Sequence, residues 1–522
     1  MAMLICALAP LQRMLTVGWI SDDAAWQVAF RTWRPGSGTL VLPPNTYALR
    51  IPLLIATDVL LPSSRWTLFA TSLLLNTIGL LLIVRVATEA IAEARGVEAS
   101  ALGRSERLIA LGACGASFVV SLTMRLSNAG LTTRNFEAGL YLAILLVGYQ
   151  TVLGRRHLDT WPRRVGIVLS VGVLGNNDPL FIYSIVAPFL VGVAATIAWR
   201  STRQRSIVVP PSAGRLAVCA SLGVAVWLGG RRLLEVVGAR IEDSHVGLAS
   251  LDDYPDHTWV VARGHFRTAG GDLLSDPNRW YRPFGAIFVL VAAAVVVATV
   301  TMIGARVAGR SGPTLWMTTL PLIWLVVLTA LYLVSSAGAS TDAFRYVAVG
   351  FPAIGLAGAV VIARHGDSWR WPMAAIVSVV LVVAGLQLID RDASGRDAEV
   401  RATARAVDEL TEAGYAYGYS GFWTAHIVTY YADQPQPIVA IECSPQGRTV
   451  AFEWIADLGH IADVKDHPEA SSFIIVDYLD GRALTCPPGV LRELHGAPGR
   501  TISVSPNIEI WLYSDNLVLA GT

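Results

Sequence analysis

Ten times between residues 65 and 389 the chain turns apolar for about the length needed to cross a bilayer. The stretches are 65–86, 107–126, 135–153, 164–176, 180–199, 214–237, 284–305, 314–336, 344–363 and 372–389. A hydrocarbon core about 30 Å thick takes roughly 20 helical residues, because no water is present there to satisfy an open backbone. An eleventh stretch, 3–20, carries Pro10 and Arg13. A mid-bilayer arginine costs roughly 2.5 kcal/mol or more, so this segment needs neighbouring helices around it. Its length and weak cleavage-site signal disfavour a removable leader. Composition agrees, since 53% of the 522 residues are hydrophobic and only 15% are charged. Mean hydropathy is +0.51. A soluble chain would carry charge on nearer a quarter of its residues. The expectation is an α-helical polytopic membrane protein of about eleven transmembrane helices over residues 1–390, followed by a soluble C-terminal α/β domain over 391–522.

Arginine sets the orientation. Loops 154–164 and 200–215 hold Arg155, Arg156, Arg163 and Arg164, then Arg200, Arg203, Arg205 and Arg215. Loops 306–313 and 364–371 add Arg306, Arg310, Arg364 and Arg370, while the alternate short loops contribute only Arg134 and Arg345. The positive-inside rule puts the first set in the cytoplasm, so the large loops 21–64 and 238–283 and the segment 391–522 face outward. The expected location is a bacterial plasma membrane, with nearly all the polar mass outside. The net charge of +1 argues neither for nor against a nucleic-acid partner, none is expected, and Lys465 is the sole lysine.

The outward segments have internal structure. Ser21-Asp22-Asp23 can cap a short aromatic-rich helix over 26–33, and the run 51–61, closed by Pro62, suits a re-entrant or surface helix. Loop 238–283 is rich in Asp, His and aromatic residues, including His245, His257, His265, Asp252, Asp253 and Asp256. Their spacings match no closed metal-ligand pattern, so they read as loop polarity and no metal is assigned. Past residue 390, Val400–Ala413 reads as an amphipathic helix and Ile438–Ile441, Phe473–Val476 and Ile508–Tyr513 as strands. Tyr415, Tyr417, Tyr419, Phe422, Trp423, Tyr430 and Tyr431 could stack on sugar rings, but their alternation favours a strand with its core. Cys6, Cys114 and Cys219 fall in apolar runs as small buried hydrophobes, whereas Cys443 and Cys486 can pair if their domain meets an oxidising compartment.

Asp22 and Asp23 stand just outside the first apolar stretch. One use for them is helix capping. Another is a general base, or a ligand for a divalent cation, at the place where a substrate with a lipid tail meets water. This acidic pair, the re-entrant loop, the many spans and the extracytoplasmic C-terminal domain together resemble the GT-C superfamily of polyprenyl-phosphate-dependent membrane glycosyltransferases. The short motifs Arg134-Asn135-Phe136-Glu137, Asn177-Asp178-Pro179-Leu180, Phe344-Arg345-Tyr346 and Gly418–Ala425 are similar to segments of bacterial members.

The resemblance implies a catalytic base at Asp22 or Asp23. It also implies an arginine for the donor phosphate, Arg345 first and Arg134 second, since a guanidinium can grip phosphate with two parallel hydrogen bonds. Interfacial snorkelling is the plainer use of both arginines. Asp178, in an Asx-Pro turn, and Glu137 are candidates for a second acid, with turn formation the plainer role of Asp178. The chain has no phosphate-binding glycine loop ending in Lys, no dinucleotide fingerprint and no serine nucleophile elbow. No cofactor is required by the sequence, although a divalent cation would fit. The implied partners are a polyprenyl-phosphate sugar, an extracytoplasmic glycan, lipid or protein acceptor, and the bilayer. Two rival functions are a transporter or flippase of lipid-linked sugars and a non-catalytic assembly or sensing protein. Transport predicts charge deep in the spans and repeated halves, and apart from Arg13 the chain shows neither.

Overall fold

The computed structural model describes residues 28, 40–42, 65–128, 134–152, 160–177, 211–241, 247–268, 282–308, 316–339, 344–365, 396–432, 438–444, 447–453, 456–478 and 486–517, with isolated positions between 182 and 202. The stretches 3–20 and 372–389, most of 180–199, the run 26–33 apart from Val28, the run 51–61, and Asp22, Asp23, Asp178 and His245 lie outside the described residues.

Eight of the anticipated apolar stretches are helical: α1 (Arg65–Arg95), α2 (Arg104–Asn128), α3 (Arg134–Val152), α4 (Trp161–Asn177), α5 (Pro211–Val236), α7 (Arg282–Ala308), α8 (Trp316–Val334) and α10 (Pro352–His365). Among the described residues, four have the length and apolarity to cross a membrane unaided: Leu74–Arg95, Gly214–Val236, Gly285–Gly304 and Met317–Val334. Two shorter apolar helical runs are Ala138–Val147 and Pro352–Arg364. A total of eleven is therefore not shown. The windows in α1 and α8 are half buried, whereas those in α5 and α7 are only 17% and 12% buried, so α1 and α8 are central and the other two peripheral.

Because lipid is as apolar as leucine, packing among such helices relies on close backbone approach at small residues. A Cβ on Gly139 of α3 would sit 2.6 Å from the Gly79 carbonyl of α1, and Gly172 and Gly223 make a similar seam between α4 and α5. Trp324 and Tyr141, both fully buried, lie with ring centroids 4.0 Å apart between α8 and α3. At the α1 C-terminus, Arg95 pairs with Glu106 at 2.8 Å and donates to the Ala363 carbonyl at 3.1 Å, joining α1, α2 and α10. Beside it the Glu93 carboxylate accepts the Met317 backbone N–H at the head of α8.

The C-terminal region is a six-stranded mixed sheet in the order β5-β4-β3-β7-β9-β8. Its strands are β3 (Tyr417–Ser420), β4 (Val439–Cys443), β5 (Thr449–Ala451), β7 (Ser472–Asp477), β8 (Arg500–Ser505) and β9 (Ile508–Tyr513). β3 runs parallel to β4 and β7, and the outer pairs are antiparallel. Alternate residues serve opposite faces, as the period of two demands. Phe473, Ile475, Ile508 and Ile510 join one core with α11 (Arg396–Glu412) and α12 (Phe422–Tyr431). Tyr417, Tyr419, Ile474 and Trp511 join the other with α13 (Leu458–Asp466) and α14 (Pro488–His495). The aromatic alternation thus belongs to core, with Tyr417, Tyr419, Phe422 and Tyr430 all buried.

A second, three-stranded sheet ties the chain together. β1 (Leu40–Leu42), from the first large loop, pairs parallel with β2 (Ala239–Ile241) at the start of the second. It also pairs antiparallel with β6 (Ala456–Asp457) of the C-terminal domain. Val28, Leu40, Leu42 and Ala239 are buried in the same core as Phe422 and Val400. Short segments of both large loops and the C-terminal sheet region therefore meet in one core.

Candidate functional site

Of the segments picked out from the sequence, Phe344-Arg345-Tyr346 falls among the described residues. Arg345 opens the short helix α9 (Arg345–Ala348), with Phe344 as its fully buried N-cap. The second large loop supplies α6 (Tyr254–Thr268), which packs against α9, α8, α2 and α7. The start of α6 is well fixed. The Ser250 hydroxyl accepts from the Asp252 N–H while the Asp253 carboxylate accepts from the Ser250 N–H, a reciprocal cap.

Gly264 and His265 hold α6 onto the Arg345 turn, and His257 holds it to the end of α8. Gly264 abuts the Phe344 ring so closely that a Cβ there would lie 2.5 Å from it. His265 meets Phe344 edge-on at 4.7 Å and stacks on Phe351 at 5.6 Å, and Tyr332 of α8 contacts Phe344 edge-on at 5.6 Å. His257 is buried, and its Nδ1 lies 3.0 Å from the Leu333 carbonyl. A carbonyl only accepts, so the proton is on Nδ1. The imidazole also presses against Gly338, where a Cβ would be 2.6 Å from Nδ1. Main-chain bonds Ala249 N–H to Val334 O and Ser336 N–H to Gly247 O continue the seam. Burial among these aromatic rings lowers the pKa of His265 to about 4, so it stays neutral.

The histidines assigned to loop polarity are thus partly misread. His265 packs α6 against the Phe344 turn, His257 packs it against Leu333 and Gly338, and His245 lies outside the described residues. A signal was available. Positions 257, 261, 264, 265 and 268 fall on one helical face, and Gly264-His265 marks the line of close approach. Among the described residues no group of three or more His, Cys, Asp or Glu side chains could hold a metal ion.

Arg134 and Glu137 stand one turn apart at the head of α3. Asn177 is the last residue of α4, and Asp178 follows outside the described residues. The neighbouring Asn176 is buried, donates to the Gly172 carbonyl at 3.0 Å and fills the space beside Gly230 of α5, so it is a helix-packing amide. In the terminal domain the Gly418–Ala425 segment forms β3 and the first turn of α12, where Thr424 donates to Asp477 at 2.8 Å. Cys443 and Cys486 are disulfide-bonded, with Cα atoms 5.0 Å apart.

This arrangement covers most of the length of a known structure. The crystal structure of ArnT from Cupriavidus metallidurans bound to undecaprenyl phosphate matches with a TM-score of 0.52 at 13% identity, over 98% of this chain and 97% of that one. The apo ArnT structure from the same organism matches with a TM-score of 0.53 at 12% identity and the same coverage. Over nearly its whole length the chain shares the fold of ArnT. At this identity the ArnT likeness fixes the fold and not the chemistry. No protein-family model matches the chain, and neither does any curated protein.

Proposed function

We propose that this chain is a membrane glycosyltransferase that moves a sugar from a polyprenyl-phosphate-linked donor to an extracytoplasmic glycan, lipid or protein acceptor. One observation carries the reading: nearly the whole chain, helices and terminal domain alike, follows a fold seen holding undecaprenyl phosphate in ArnT. Nothing comparable favours a transporter or an assembly protein.

In the proposed reaction Asp22 or Asp23 takes the proton from the acceptor hydroxyl as its oxygen attacks the anomeric carbon. The bond from that carbon to the donor phosphate oxygen breaks, and the lipid phosphate leaves as an anion. Such a leaving group needs charge stabilisation more than protonation. Arg345 is assigned that task, with Arg134 second, and Glu137 and Asp178 are kept as candidates for a second acid. The buried seam behind Phe344 supports the choice of Arg345, because a phosphate ligand gains most when its backbone is held rigidly. The site would face outward in a bacterial plasma membrane. The Cys443–Cys486 disulfide supports that side, since such bonds persist in oxidising compartments. A divalent cation at the aspartate pair is compatible with this mechanism but not needed by it.

The test is transfer from radiolabelled polyprenyl-phosphate sugars by the full chain in lipid nanodiscs. Replacing Asp22 and Asp23 together by Asn is expected to lower turnover by a factor of about 10² to 10⁴. Unchanged turnover in that variant would remove the assigned base. Failure of every donor tested against a panel of envelope acceptors would remove the enzyme reading.

A further inference from the structure

A cleft of about 390 Å³ opens beside α1, lined by Leu81, Val84, Arg85, Thr88, Ser100 and Arg107 together with Ala99. α1 leaves the large loop bearing β1 and ends at the Arg95–Glu106 bridge, and the cleft lies in the half of α1 near that bridge. The arginine-rich loops define this end as cytoplasmic.

The composition of the cleft changes with depth. Leu74, Leu81, Arg85 and Thr88 fall on one face of α1, within about 60° of each other at 100° per residue. Leu74 and Leu81 are 59% and 55% exposed, as leucines facing acyl chains would be. One turn beyond Leu81 the Arg85 side chain is 64% exposed, and Arg107 comes in from the head of α2, also exposed. The polar side is not purely cationic. Arg85 donates to Glu89 at 2.8 Å, and Ser100 donates to Glu98 at 3.2 Å. The contact of Arg107 to the Ser100 carbonyl is long, at 3.5 Å. The Thr88 hydroxyl is already used by the Val84 carbonyl. Two guanidinium groups at the end of a lipid-facing leucine stripe fit one phosphodiester anion with its acyl chains attached.

We propose that this cleft binds the headgroup of an anionic phospholipid of the cytoplasmic leaflet, with Arg85 and Arg107 on the phosphate and the acyl chains along Leu81 and Leu74. Lipid is the occupant because the polar and apolar parts are ordered along the helix as they are along a phospholipid. The site is separate from the outward one and does not depend on the glycosyltransferase reading.

Native mass spectrometry of the full chain, titrated with phosphatidylglycerol and separately with phosphatidylcholine, tests this directly. Tighter binding of phosphatidylglycerol is expected, and the double substitution Arg85→Gln with Arg107→Gln should weaken it at least fivefold without changing phosphatidylcholine uptake. A matched control, Arg163→Gln with Arg164→Gln, should leave binding unaltered. Equal phosphatidylglycerol binding by the cleft variant and the parent would overturn the proposal. Full displacement of the lipid by millimolar inorganic phosphate would also overturn it, because the site would then be one for free anions. If the double variant does not stay monodisperse, Arg107→Gln alone serves, since Arg107 lacks a carboxylate partner at hydrogen-bond distance among the described contacts; no weakening in that variant likewise refutes the assignment.

Discussion

His426 on α12 is buried with neither ring nitrogen hydrogen-bonded among the described residues, packed against Phe422 at 4.9 Å. Burial lowers its pKa to about 4 from the ordinary 6.5. The unfolded chain therefore takes up a proton near pH 6.5 that the folded domain refuses until about pH 4. Stability is full above the upper value and falls through that window, by about 3 kcal/mol at most. Melting of the terminal domain is expected to move down as pH drops from 7 to 4.5, and His426→Leu should flatten that slope. A parallel slope in the variant would assign the effect elsewhere. Gly264→Val makes a second residue-scale test. Its side chain would strike the Phe344 ring, which has no free volume to yield, at a cost of about 1–3 kcal/mol. Binding of a polyprenyl phosphate should weaken together with turnover, whereas Gly304→Val, which meets open space, should change neither.

At the level of elements, the sequence was most legible where one pattern decides. The runs at Ile508–Tyr513 and Phe473–Val476 became β9 and β7 within a residue or so, because alternate residues enter opposite cores. The helix expected over Val400–Ala413 spans Arg396–Glu412. α1 was read short, since Thr88, Glu89 and Glu93 look like the end of a span while the helix continues to Arg95 under the Arg95–Glu106 bridge. β1 was not foreseen at all: Leu40–Leu42 is three residues long, and its partners come from segments hundreds of residues away. Candidate site residues were the least accessible. Arg345 could be named from its motif, but the role of α6 in fixing that turn depends on tertiary contacts of Gly264 and His265. The disulfide closes a loop of 43 residues between β4 and α14, and chain entropy values it at about 3–4 kcal/mol. Cys443→Ser with Cys486→Ser should lower the domain's melting temperature, and added reductant should do the same to the parent but not to the variant. Equal melting of all three would mean that the bond closes nothing the fold needs.

For the whole molecule, the three-stranded sheet decides how the parts stay together. β1 is its middle strand, so Val41→Pro removes a ladder donor that cannot be replaced and the ring disturbs both neighbours. Limited proteolysis is expected to cut the variant between the helical body and the terminal domain sooner than the parent, with the helical body left intact. Identical cleavage patterns would show that side-chain packing around Val28, Leu40 and Leu42 suffices without the strand pairing.

The same sheet has a bearing on how the chain is made. β1 emerges during synthesis some four hundred residues before β6 exists to pair with it, and β2 about two hundred before. At the usual pace of translation that is tens of seconds or more during which the β1 segment has an open strand edge and uncovered leucines. This sheet can be completed only after β6 has been made, so its assembly must be closed from the carboxyl end of the chain.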